Sequence, residues 1–121
     1  MSKLPWKPIL AWILAAFFVF GGAVNIFAPE SVAADYQRWG YPDWFHFFAT
    51  GGLELATAVL LALAGTRLLG AALGSVVMLA ATATVMVHGE HAHAILPIMI
   101  LALLAIAGRT SRPIATITVE Q

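Results

Sequence analysis

Apolar residues fill four long stretches of this chain, and all but one of the charged residues fall between or beside these stretches. A helix needs about 20 apolar residues to cross about 30 Å of hydrocarbon. The pattern predicts an all-α membrane protein, a four-transmembrane-helix bundle forming a single membrane domain over residues 1–121. The predicted spans cover about 8–27, 44–64, 68–87 and 94–107, and a C-terminal tail covers 108–121.

The composition also indicates a protein embedded in a lipid bilayer. Hydrophobic residues make up 61% of the chain and charged residues 10%, against about 45–50% and about 25% in soluble domains. The formal net charge is zero, so no nucleic acid partner is expected. The chain has no cysteine, which excludes disulfides and cysteine-ligated metal sites.

The basic residues predict how the bundle is oriented. Lysine and arginine concentrate at the cytoplasmic ends of membrane helices. Arg38 stands alone on one side of the predicted bundle, while the other side collects five basic residues: Lys3, Lys7, Arg67, Arg109 and Arg112. Both termini are therefore predicted to be cytoplasmic. The first apolar run is too long for a signal peptide core, so we interpret it as a retained helix.

The connecting segments carry recognisable turn and capping signals. Residues 30–43 mix charges with aromatics, as an interfacial segment with a short surface helix would. Asp43 is expected to cap the second span after Pro42, and residues 65–67 to close a helical hairpin. The Gly70-x-x-x-Gly74 spacing predicts close helix packing within the chain, with a homo-oligomer face as the alternative.

Glu54 is the one charged residue predicted to lie near the middle of the membrane. Intramembrane carboxyl groups usually mark functional sites. His46 and Thr50 precede Glu54 at helical spacing and extend a polar stripe from the outer surface. With polar residues of neighbouring segments they predict an outward-facing pocket with apolar walls. Those further candidate ligand-binding residues are Asn25, Thr84, His88 and Glu90. The alternative is that the Thr and Asn side chains only join helices.

The turn from residue 88 to 93 contains three histidines and one glutamate. Imidazole and carboxylate groups bind zinc, copper and iron. His88, His91 and His93 are therefore candidate metal ligands, although their spacing differs from that of helical zinc proteases. A solvated polar turn, or a segment that handles substrate or protons, is the alternative.

Several segments resemble the DoxX-like family of small bacterial membrane proteins. The most specific are 39–46, Trp-Gly-Tyr-Pro-Asp-Trp-Phe-His, and 50–55, Thr-Gly-Gly-Leu-Glu-Leu. The resemblance implies a four-helix bundle with Glu54 as the intramembrane acid. It also implies roles linked to quinone-reducing sulfur oxidation, redox-stress complexes or assembly. Family members often carry lysine where this chain has Asn25, so a lysine–glutamate pair across the pocket is not expected.

Three functional hypotheses follow. In the first, an integral protein of the bacterial inner membrane binds a small apolar or amphipathic molecule, with quinone as the candidate, as a subunit of a redox system; Glu54 and His46 act as catalytic proton or hydrogen-bond partners. In the second, the protein is a non-enzymatic membrane subunit or assembly factor that contacts a membrane or redox protein. In the third, histidines including His46 bind metal or haem.

Overall fold

A computed structural model describes residues 5–111, and this part of the chain is helical without strands. Helix α1 covers Trp6–Phe27, α2 covers Glu30–Arg38, α3 covers Gly52–Ala62, α4 covers Arg67–Val87 and α5 covers Ile95–Arg109. Four helical stretches are long and apolar enough to cross a membrane: Trp6–Phe27, Phe45–Ala62, Ala64–Val87 and His91–Arg109. The predicted four-span helical architecture is therefore confirmed.

The second span begins differently from the prediction. Residues Phe45–Gly51 form a π-helix that leads directly into α3. The N-cap position is Trp44, and no side chain caps this end, so the expected capping by Asp43 is wrong. A π-helix hydrogen-bonds from residue i to i+5 and so turns more slowly than an α-helix. The side chains of 45–51 therefore leave the alignment that α-helical spacing predicts.

The hairpin between the second and third spans is fixed by side chains that bind backbone carbonyls. The span stops at Ala62, two residues early, because Leu63 is extended, and Ala64–Thr66 forms a single 3-10 turn. Arg67 Nε donates to the Leu61 carbonyl at 2.8 Å. This bond occupies a carbonyl acceptor that the end of a helix leaves free.

The first and fourth spans are longer than predicted. The first span begins at Trp6, two residues earlier than expected. The fourth begins with a 3-10 turn at His91–Ala94 and continues as α5 to Arg109, so the predicted tail begins inside a helix. Residues 112–121 of that tail, with Arg112, lie outside the described residues, as does Lys3. The cytoplasmic placement of the termini stays a prediction.

The helices pack around a buried apolar core at the end of the bundle that carries the 65–67 turn. Phe18, Leu61 and Leu104 are fully buried in it. A Cβ atom at Gly70 would lie 2.7 Å from the Leu61 amide nitrogen, and one at Gly74 would lie 2.9 Å from the Thr57 side chain. The glycine pair is thus used for packing inside the chain, as predicted.

Candidate functional site: a polar cavity between the helices

The Glu54 carboxyl group is buried against a glycine of α1. Glu54 is only 5% exposed. A Cβ atom at Gly21 would lie 2.9 Å from Glu54 Oε2 and 3.2 Å from Oε1. Any larger residue at position 21 would displace the carboxyl group. Glu54 lies nine residues after the start of the span at Phe45, roughly 14 Å along the helix axis.

Asn25 connects this carboxyl group to two other side chains. Asn25 Nδ2 donates to Glu54 Oε1 at 2.7 Å and to the Gly21 carbonyl at 2.9 Å. The phenol of Tyr36 donates to Asn25 Oδ1 at 2.8 Å. His46 Nδ1 lies 2.9 Å from the Asn25 carbonyl oxygen; because that oxygen only accepts, Nδ1 carries the proton. Asn25 is therefore the centre of the network.

Glu54 and Asn25 face a cavity of about 440 Å³ in the half of the bundle that contains α2. A volume of this size suits a small organic molecule. Apolar side chains dominate its walls. On α4 and α5 they include Val76, Val77, Ala81, Leu96 and Pro97. Polar groups of α1, α2 and the second span occupy another part of the wall, so the cavity is amphipathic.

Aromatic residues of α2 and the following loop form part of the cavity wall. Tyr36, Trp39 and Tyr41 all line it. Tyr41 Oη lies 2.7 Å from Thr84 Oγ1. Since Thr84 already donates to the Ala80 carbonyl at 2.9 Å, Tyr41 is the donor in this pair. Burial raises the pKa of the Tyr36 phenol above its ordinary value, which keeps it protonated as a donor.

We call Tyr36, Trp39 and Tyr41 the aromatic cover of the cavity. An ion pair joins this cover to the turn before α5. Arg38 donates to both carboxylate oxygens of Glu90, from Nη2 to Oε1 at 2.9 Å and from Nε to Oε2 at 3.1 Å. The Trp39 indole donates to Glu90 Oε2 at 3.1 Å. These donors lower the pKa of Glu90 to about 2. Arg38 also pairs with Asp35 at 2.9 Å.

The structure brings some of the predicted site residues together and separates others. Asn25, Thr50, Glu54 and Thr84 line one cavity. His46 lies beside it and contacts the Asn25 backbone, because the π-helix alters the register between positions 46 and 50.

The two predicted residues of the 88–93 turn have different surroundings. His88 Nδ1 lies 2.8 Å from the Thr84 carbonyl of its own helix, away from the cavity lining. Glu90 holds the cover instead of lining the cavity.

The histidines of the turn each contact a different partner. His91 Nδ1 lies 3.1 Å from Met86 Sδ, and His93 Nδ1 lies 3.4 Å from Glu90 Oε1. Within residues 5–111, no three His, Cys, Asp or Glu side chains are placed to hold a metal ion. The geometry therefore gives the metal hypothesis no support. His93 instead lines the cavity.

Sequence reasoning missed the part that Tyr36, Trp39, Tyr41 and Arg38 play in the site. Their segment was interpreted as an interfacial loop, which explains aromatics mixed with charges equally well. The usable signal was the position of Arg38 as the single basic residue on its predicted side. An acidic partner on that side, Glu90, was available in the sequence.

Four apolar helices around a buried carboxyl group define a small helical integral membrane protein with an internal polar site. The chain belongs to the DoxX-like family, whose model matches residues 9–107. The match covers all four spans almost completely and confirms the resemblance noted from the sequence. No curated protein and no solved structure matches the chain.

Proposed function

We propose that this DoxX-like protein binds one small amphipathic molecule in the cavity, with the polar head of the molecule near Glu54 and its apolar part against α4 and α5. The observation that carries the proposal is the Glu54 carboxyl group in the wall of an otherwise largely apolar cavity. Its Oε1 accepts from Asn25, while Oε2 has no hydrogen bond within the described residues. A polar ligand atom would provide that partner.

The charges of the cavity wall select the kind of head group. The wall contains the acids Asp35 and Glu54, and the described chain contributes no Lys or Arg to it. An anionic head would find no Lys or Arg in the described cavity lining to pair with, which costs free energy at low dielectric. A neutral head with a carbonyl oxygen needs no counter-ion and can accept a hydrogen bond from the Thr50 hydroxyl group, or from Glu54 when its carboxyl group carries a proton. A quinone has this chemistry and is our candidate ligand.

The hydrogen-bonded chain gives Glu54 and its neighbours a role beyond holding a ligand. Tyr36, Asn25 and Glu54 are linked by bonds of 2.8 and 2.7 Å, and His46 binds the Asn25 backbone. In our proposal this network orients the quinone, and the Glu54 carboxyl group exchanges a proton with it when a redox partner supplies or removes the electrons. The protein would act as a quinone-binding subunit in the bacterial inner membrane, beside a redox partner.

Native mass spectrometry from quinone-free lipid nanodiscs tests this function. Decyl-benzoquinone, added as the probe, is expected to bind the wild-type chain at one molecule per protein. Glu54→Gln replaces a carboxyl O–H donor by a weaker amide N–H donor and removes the acid, so binding should weaken several-fold, up to roughly tenfold. Glu30→Gln makes the same change in α2, on an exposed residue outside the cavity lining, and should bind like wild type.

The same measurement separates this proposal from the assembly-factor alternative. Recovery of a stoichiometric membrane protein together with a wild-type chain that binds no probe would favour the alternative. Equal affinities for wild type and Glu54→Gln would overturn the role of Glu54.

A further inference from the structure

The cavity borders the outer surface of the bundle between α3 and α4. Leu53 of α3, with Val76 and Ala80 of α4, line the cavity and are also exposed. Leu53 is 43% exposed and Val76 is 61% exposed. His93 and Leu96 of the fourth span also line the cavity and are exposed. Leu53, Val76 and Ala80 lie on two neighbouring helices and reach both the cavity and the outer surface, so these three mark where the wall between α3 and α4 opens.

The two helices touch closely at one end and enclose the cavity toward the other. Gly70 of α4 packs on the backbone of Leu60 and Leu61, and Gly74 packs on Thr57. Beyond these contacts, the cavity occupies the space between Leu53 and Val76. On α4, Ala71 marks the side that contacts α5, through Gly108. At about 100° per residue, Val76 and Ala80 lie on the other side of Gly70, toward α3.

This opening lies at the depth of the lipid tails. Val76 is eleven residues before the end of α4 at Val87, roughly 16 Å along the helix axis. Leu53 is eight residues into its span, after the whole of the π-helix. Both helices are membrane spans, so the opening faces hydrocarbon and not water. The end of the cavity toward α2 carries the aromatic cover, fastened by Arg38, Glu90 and the Tyr41–Thr84 bond.

We infer that the cavity exchanges its ligand sideways with the bilayer, through a portal lined by Leu53, Val76 and Ala80. The inference deepens the proposed function and rests on it. It assigns a ligand class: neutral amphiphiles with a long apolar tail, whose head lies in the cavity while the tail passes through the portal into the lipid. The tail beyond the portal needs no space inside the bundle, so the volume of the cavity limits only the head and the apolar part next to it, which packs against α4 and α5.

A matched pair of substitutions on α4 tests the portal. Ala80→Phe places a bulky ring at the portal, whereas Ala83→Phe places the same ring at an exposed position outside the cavity lining. In nanodiscs, Ala80→Phe should slow the association of decyl-benzoquinone about tenfold, a barrier raised by about 1.4 kcal/mol. Ala83→Phe should associate like wild type. Ala80→Phe should slow unsubstituted benzoquinone, which has no tail to pass through the portal, less than it slows decyl-benzoquinone.

A second measurement does not depend on blocking the opening. The chain has no cysteine, so Val76→Cys and Ala83→Cys each introduce one labelling site for a fluorophore. Bound decyl-benzoquinone should quench the label at position 76 with the saturation of the binding curve. The label at position 83 should be quenched only by collisions with decyl-benzoquinone dissolved in the lipid, and this quenching should not saturate.

The outcomes separate the portal from the proposed function. If Glu54→Gln weakens binding but Ala80→Phe associates as fast as Ala83→Phe, and position 76 shows no saturable quenching, the portal is wrong and the binding function stands. If the wild-type chain binds neither quinone, both the portal and the proposed binding function are wrong.

Discussion

Asn25 Nδ2 lies 2.7 Å from Glu54 Oε1 and joins the last turn of α1 to the middle of the second span. The same residue accepts from Tyr36 through its side chain and from His46 through its backbone. One amide side chain therefore connects two membrane spans and the surface helix α2. The surroundings of Glu54 depend on this residue more than on any other polar neighbour.

Replacing Asn25 should destabilise the bundle. Asn25→Leu leaves Glu54 and Tyr36 without their partner, and we expect the free energy of unfolding to fall by about 1–2 kcal/mol. Ser75→Ala is the control, because Ser75 donates to the Ala71 carbonyl of its own helix; its effect should stay within about 0.5 kcal/mol. Reversible unfolding in mixed micelles measures both. Equal losses for the two variants would contradict a structural role for Asn25.

The absence of a side chain at position 21 should matter for the site. Gly21→Ala introduces a Cβ atom 2.9 Å from Glu54 Oε2, so the carboxyl group must move and quinone affinity should fall several-fold. The cost in stability should be small, about 1 kcal/mol or less, because the displaced atoms are the end of a side chain and not backbone. Gly52→Ala is the matched control, since a Cβ atom there meets nothing within 4 Å. Calorimetry with decyl-benzoquinone gives the affinities, and an unchanged affinity for Gly21→Ala would refute this positioning.

The cover should loosen in acid through Glu90. Its pKa is lowered from 4.5 to about 2 by Arg38 and Trp39. A lowered pKa in the folded state means that the interaction is complete above pH 4.5 and is lost as the pH falls toward 2. Trp39 fluorescence, in a variant that retains only this tryptophan, should therefore change between pH 4.5 and 2. Glu90→Gln should remove that transition, while Glu30→Gln should keep it; a transition that persists in Glu90→Gln would show another origin.

Close packing between α3 and α4 should depend on Gly70. A Cβ atom there would lie 2.7 Å from backbone nitrogen of Leu61, which cannot move aside like a side chain. Gly70→Ala should therefore lower the free energy of unfolding by about 1–3 kcal/mol. Gly65→Ala, in open space, is the comparison. Thermal unfolding in detergent decides, and equal melting temperatures for the two variants would refute the close contact.

The architecture was readable from the sequence because span length and apolar composition follow directly from the thickness of the bilayer. Glu54 was also readable, since a carboxyl group inside an apolar run has few structural explanations. Thr50 followed from its helical spacing before Glu54, and Thr84 from its spacing with His88. Asn25 followed from its position near the outer end of the first span. Each of these lines the cavity.

The remaining parts depend on geometry that the sequence pattern does not encode. The π-helix over Phe45–Gly51 displaces His46 from the predicted stripe. The periodicity of the sequence does not predict a π-helix at this place. The Arg38–Glu90 pair joins residues 52 positions apart. The position of the aromatic cover depends on how α2 lies across the bundle, and composition alone does not specify that packing.

Photoaffinity labelling can show whether a quinone head lies beside Glu54 inside the bundle. A decyl-benzoquinone carrying an azide is activated in nanodiscs, and mass spectrometry locates the label. We expect the label on cavity residues near Glu54, such as Leu53 and Val77, and we expect excess unlabelled quinone and Glu54→Gln each to reduce it. Labelling spread over exposed residues outside the cavity, such as Val59 and Leu79, and insensitive to competitor, would contradict it.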